Sequence, residues 1–125
     1  MLRNLRNYVT NDKSFSQFNK ARNYDIANRS ANAKKAYKNL IDDFPFTYWT
    51  LEGKFSLAVL KYKLKNYNGA ETLFLDLITG PEMRRDLVNY YLGMISIYNN
   101  NNLKAISYFS QSSYYLSKVE LSKLQ

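Results

Sequence analysis

Apolar residues recur along the chain at spacings of three and four, the period of one helix face. Between 31 and 44 the stripe is Ala33, Tyr37, Leu40, Ile41 and Phe44. It stops at Pro45, which cannot donate to the helical ladder and disfavours helix in the residue before it. From 48 to 65 a second stripe runs through Trp49, Phe55, Leu57 to Leu60, Tyr62 and Leu64, with Gly53 and Ala58 among the large residues. The same period predicts helices over 14–28 (Phe15, Phe18, Ala21, Tyr24), 69–79 (Ala70, Leu73, Phe74, Leu77), 83–98 (Leu87, Val88, Leu92, Ile95) and 103–118 (Leu103, Ala105, Phe109, Leu116). Asn28 to Ser30, Asn66 to Gly69 and Asn99 to Asn102 are the expected turns. Ser30 is the expected N-cap of the second helix, and Asp12 or Ser14 that of the first. Gly80-Pro81 stops the fourth. No convincing strand appears, so the fold class is all-α, with six helices in three hairpins.

The hairpins align with one another. Ala21, Ala58 and Gly93 take one position in the first helix of each pair. Ala33, Ala70 and Ala105, twelve residues later, take one in the second, and Tyr37, Phe74 and Phe109 follow one turn on. The small residues let two helix axes cross closely, and the aromatic fills the space beside them. The copies are offset by 37 and then 35 residues. Leu40-Ile41 and Leu77-Ile78 continue the stripe, whereas the third copy has Ser112-Ser113.

This pattern resembles the tetratricopeptide repeat, over roughly residues 14–118. The matching residues are Leu57-Ala58, Tyr67, Ala70, Phe74 and Pro81, then Leu92-Gly93, Ala105 and Phe109. Leu40-Ile-Asp-Asp-Phe-Pro-Phe-Thr-Tyr-Trp49 resembles the junction between repeats in bacterial cell-envelope members, such as outer-membrane assembly lipoproteins and cell-division coordinators. Asn102 departs from the usual aromatic, and Ser112-Ser113 suit a terminal repeat whose outer face meets solvent or a partner. The resemblance implies a right-handed α-solenoid with repeats at about 14–47, 48–82 and 83–119. It also implies a bacterial protein, with a place in a cell-envelope complex as one setting. Residues 1–13 would be a basic N-terminal segment and 120–125 a tail. Trp49 is expected to wedge between the first two repeats.

Such arrays bind partners in a concave groove lined by the first helix of each hairpin. Carried over by position, the resemblance implies Phe15, Phe18, Arg22 and Asp25 from the first repeat. The second contributes Glu52, Phe55, Val59, Tyr62 and Lys63, and the third Leu87, Tyr90, Met94, Ile97 and Tyr98. A surface so rich in aromatic and apolar residues is the composition of an interface. The carboxylate clamp of chaperone-binding members needs Lys and Asn where Phe18 and Arg22 stand, so that clamp is absent. The expected ligand is therefore an apolar helix or extended segment of another protein, with homodimerisation through the same surface as a further possibility.

Composition narrows the chemistry. The 125 residues are 46% hydrophobic and 16% aromatic, enough for a moderate core. Zero Cys and zero His remove disulfides, thiolate metal sites, the Cys nucleophile and the usual general base. Asp42-Asp43 has no base or metal ligand beside it in sequence, so no enzyme, metal or cofactor is expected; a salt bridge to a neighbouring hairpin is its expected role. Charge is uneven: residues 1–38 hold nine Lys/Arg against two Asp/Glu, and 39–125 hold nine against eight. The basic third suggests an acidic partner or a membrane surface, and the alternative function is a basic helical protein on a membrane or nucleic acid. Basic residues are only weakly interleaved with aromatics, which argues against nucleic acid. No stretch approaches the ~20 apolar residues of a membrane span, and the first ten lack the apolar core of a signal peptide. The compartment stays open between cytoplasm and, for a fragment of a longer precursor, periplasm.

Overall fold

The computed structural model describes residues 12–80 and 83–125. The N-terminal segment up to residue 11, and Pro81 in the stop after the fourth helix, lie outside the described residues. Among the described residues all regular structure is helical. These residues form seven helices: α1 (Asp12–Ile26), α2 (Ser30–Asp43), α3 (Tyr48–Lys63), α4 (Tyr67–Ile78), α5 (Arg85–Tyr98), α6 (Asn102–Ser110) and α7 (Tyr115–Leu124). None is long and apolar enough to cross a membrane. The chain divides into two compact units, residues 1–73 and 74–125.

The same turn joins α1 to α2, α3 to α4 and α5 to α6. Its middle residue, Asn28, Lys65 or Asn100, has a positive φ of 60°, 64° or 58°. The next amide reaches back five residues, Arg29 to Tyr24, Asn66 to Lys61 and Asn101 to Ser96, at 2.9, 2.8 and 2.8 Å. The left-handed residue's own amide reaches back three, to Asp25, Tyr62 and Ile97. These are the paired bonds of a Schellman stop, which satisfy carbonyls that a helix end leaves bare. The backbone then re-enters helix so that Ala33, Ala70 and Ala105 donate to the carbonyls of Arg29, Asn66 and Asn101. Asn tolerates the left-handed region; Lys65 bears a strain there of about 1 kcal/mol. Side-chain caps differ. Asn66 and Asn101 accept from Gly69 and Lys104, while α2 starts at Ser30 after Arg29 with no side-chain cap. Ser30 is thus the first helical residue rather than the cap. Asp12 is already in α1, and Ser14 is buried within it.

In the first unit α1, α2 and α3 pack pairwise on one another. Its core holds Phe18, Ala21, Ala33, Ala36, Tyr37, Leu40, Leu57 and Leu60. Ala21 and Ala33 are wholly buried, and the Gln17 amide donates to the Ala36 carbonyl at 3.0 Å. The Tyr37 hydroxyl donates to Asp25 at 2.9 Å. Burial, and then that carboxylate, push the phenol well above the ordinary tyrosine range. After the Pro45 break, Thr47 caps α3 by accepting from the Thr50 amide at 3.2 Å, and the Thr50 hydroxyl donates to the Phe44 carbonyl.

The second unit repeats that pairing: α5 packs on α6, α6 on α7 and α7 on α5. Helix α7 is the main departure from the sequence pattern, which predicts one helix over 103–118. α6 ends at Ser110, and Ser112-Ser113 form a clamp rather than a weakened stripe. The Ser112 hydroxyl donates to the Asp86 carbonyl at 2.7 Å. It accepts from the Tyr114 amide at 3.2 Å and from the Ser117 hydroxyl at 2.8 Å. The Ser113 amide and hydroxyl both donate to the Asp86 carboxylate, at 2.9 and 2.8 Å. Those two bonds, the backbone one first, hold the Asp86 carboxyl below its ordinary 3.8. A depressed folded-state value adds stability above the unfolded value, lost as pH falls through the folded one. Asp86→Asn is therefore expected to lower Tm at pH 7, by a margin that shrinks once pH drops below 3.8. Thermal melts of both proteins across that range check it, and a margin independent of pH contradicts it.

Candidate functional site

The small and aromatic positions that recur in the three hairpins are core. Ala21, Ala33, Ala58, Ala70, Ala105, Tyr37, Phe74 and Phe109 are all at most 1% exposed. Gly93 is buried as well. A Cβ built on Gly93 would lie 2.4 Å from the Phe109 ring, so α6 rests an aromatic face on bare α5 backbone. Phe74 stacks on Tyr91 with centroids 5.1 Å apart and planes 6° from parallel. The Tyr91 phenol is raised by burial, then by Tyr114. The repeat pattern does not single out Tyr91; its place beside Tyr90 in a largely apolar stretch is the only sequence cue.

The surface candidates on the first unit centre on an aromatic cluster. Trp49 is half-buried, with Phe15, Phe18 and Tyr48 around it at 4.8, 5.1 and 5.0 Å between ring centroids. Phe15 and Tyr48 are 41% and 39% exposed, and Phe46, in the loop before α3, is 43% exposed. Phe18 is a different case. At 4% exposure it belongs to the core, its ring 6.4 Å from Tyr37, so its face is spent on α1–α2 packing rather than free for a groove. Arg22 is exposed and lies over the Phe18 ring at 5.7 Å. Glu52 is also buried, at 9% exposure, and receives the Tyr48 hydroxyl at 3.4 Å. Phe55, Val59 and Tyr62 are half-buried along α3, and Lys63 is exposed. Tyr62 meets Tyr67 edge-on at 5.6 Å. Sequence reasoning missed Phe46 and Tyr48 as surface residues: Phe46 lies in the loop after Pro45, outside any helical stripe, and Tyr48 is the first residue of α3, one turn before Glu52.

On the second unit Leu87, Met94 and Ile97 are half-buried on α5, and Tyr98 is 52% exposed. Tyr90 is engaged on two sides. Its ring lies 6.3 Å from Phe109 and 5.1 Å from Tyr114, and burial raises its phenol. The α6–α7 connection therefore covers a residue that the repeat pattern leaves open. Tyr115 and Val119 on α7 are exposed instead, at 66% and 45%.

Asp42-Asp43 lies exposed at the end of α2, and Asp42 pairs with Lys38 of the same helix at 3.4 Å rather than with a neighbouring hairpin. Among the described residues no group of three or more His, Cys, Asp or Glu could hold a metal ion. Comparison of the chain with protein-family models, curated proteins and solved structures finds no match.

Proposed function

We propose that this chain is a non-catalytic protein-binding scaffold, built as a right-handed solenoid of tetratricopeptide-like hairpins. The thrice-repeated Schellman turn, with its following alanine and buried aromatic, supports the repeat. The matching pairwise packing of α1–α3 and of α5–α7 supports it further. The observation that carries the binding reading is the partly exposed pair Phe15 and Tyr48 against Trp49, with exposed Phe46 in the loop just before α3. Large aromatic rings packed on one another, Tyr and Trp above all, are side chains on which protein interfaces concentrate their energy. An apolar helix or extended segment of a partner would bury them, alongside Phe55, Val59 and Tyr62 on α3. Tyr98 on α5 offers a second, separate contact. Bacterial origin and a cell-envelope complex belong to the same proposal, through the junction at Leu40 to Trp49.

Affinity capture with crosslinking would supply the partner, and quantitative binding then tests the surface. Phe15→Ala with Tyr48→Ala is expected to weaken binding by at least about tenfold. The wild-type complex should persist in about 0.5 M salt, where phosphate-directed binding collapses. Unchanged affinity in the double variant, or dissociation by salt alone, would reject an apolar surface in favour of a basic one.

A further inference from the structure

The lysines of α2 have no part in that aromatic surface, yet with Lys61 of α3 they border a recess of their own. A cavity of about 460 Å³ opens in the first unit among α2, α3, Asn66 of the turn after α3 and Leu73 in the middle of α4. Its rim is Lys34, Lys35 and Lys38 from α2 and Lys61 from α3. Its floor is aliphatic: Leu57 belongs to the core, and Ile41 and Leu73 pack against it. We propose that this recess binds an acidic peptide segment of a partner, with one apolar side chain inserted between carboxylates that meet the lysines. The proposal stands apart from the aromatic surface.

Three observations select that occupant. The first is charge. No carboxylate lines the cavity. Only Lys38 is engaged, with Asp42; Lys34, Lys35 and Lys61 form no ion pair among the described residues. Three uncompensated ammonium groups around a low-dielectric floor attract anions more strongly than the same charges spread over a solvated helix. The second is the absence of rings. No aromatic side chain lines the recess, so a nucleic-acid base finds no stacking platform. The third is shape. Binding at a membrane surface calls for an apolar face that lies against the interface with cations beside it. Here the apolar atoms lie at the bottom of a concavity, within reach of a side chain that projects into it. Lysine suits such a rim, because its ammonium reaches a carboxylate on a long stem whose methylenes extend the apolar wall.

The test is fluorescence anisotropy with a short, labelled peptide of Asp and Glu around a single central Leu. A second peptide carries Ser in place of that Leu. The Leu peptide is expected to bind about tenfold tighter, the effect of burying one aliphatic side chain. Lys35→Glu with Lys61→Glu should abolish binding, and Lys34→Glu with Lys35→Glu, both on the exposed face of α2, should weaken it at least about tenfold. Far-UV circular dichroism checks that each variant is folded. The Phe15→Ala and Tyr48→Ala protein should bind the Leu peptide like wild type, which separates failure of this site from failure of the aromatic surface. Equal affinity for the Leu and Ser peptides would overturn the proposal, as would full binding by both folded lysine variants. Tighter binding to phosphatidylserine vesicles or to an oligothymidine than to the Leu peptide would also overturn it and name the class that replaces the peptide.

Discussion

Phe109→Ala is expected to remove about 3–5 kcal/mol of stability, measured by urea denaturation. The ring is 1% exposed and takes the place that a side chain at position 93 would otherwise fill. Truncating it leaves a cavity between α5 and α6, and the backbone of α5 cannot move in to close it. The complementary change tests the same contact from the other side. Gly→Ala in a helix normally adds about 1 kcal/mol of stability. At Gly93 the new methyl would lie 2.4, 2.6 and 2.7 Å from three ring carbons of Phe109, a rigid side chain that is itself buried. Overpacking reverses the sign, and Gly93→Ala should cost about 1–3 kcal/mol. Combining Gly93→Ala with Phe109→Leu should cost less than the sum of the two changes, since the smaller side chain makes room for the methyl. Gly53→Ala is the milder case, because the nearest atom, at 2.5 Å, is one terminal methyl of Leu40. A Gly93→Ala protein more stable than wild type would mean that the two helices do not cross there as closely as this.

Trp49→Ala should be nearly as damaging to the first unit, by about 2–4 kcal/mol. Trp49 is the only tryptophan in the chain. It sits at the start of α3, where the chain has just turned at Pro45, and joins Phe15 and Phe18 of α1 to Tyr48. Removing it deprives three rings of a partner and opens the α1–α3 contact. Trp49→Phe keeps an aromatic in that place and should recover more than half of the loss. Thermal and urea melts followed by circular dichroism distinguish these outcomes. A Trp49→Ala protein within about 0.5 kcal/mol of wild type would contradict the assignment, since changes of that size are what surface positions give.

The helices were legible because each carries an apolar stripe at its own period, and the breaks because Pro45, Gly80 and the Asn-rich turns interrupt it. The alternation of Ala or Gly with an aromatic was legible as close packing, because a small residue at a fixed spacing from a large one is what a tight helix crossing requires. What escaped was what depends on distant partners. Ser112-Ser113 reads locally as a poor continuation of α6. Its meaning comes from Asp86, 26 and 27 residues away, which turns the pair into a clamp and frees α7 as a separate helix. Phe18 shares a helix with Phe15, and periodicity alone does not say which ring faces α2. Tyr90 likewise became a covered residue only through Tyr114. The lysines of α2 look like a solvated face in sequence. They become a rim only when Lys61, from the next helix, and the aliphatic floor are brought beside them.

If a partner docks on the first helices of the hairpins, hydrogen exchange should show it most directly, read by mass spectrometry on the complex and on the free protein. Slowed exchange is expected along α1 around Phe15 and Arg22, along α3 from Glu52 to Lys63, and at the end of α5 near Tyr98. Peptides from α6 should exchange as they do in the free chain. Protection confined to α2 and α4, with α1, α3 and α5 unchanged, would contradict docking on those helices.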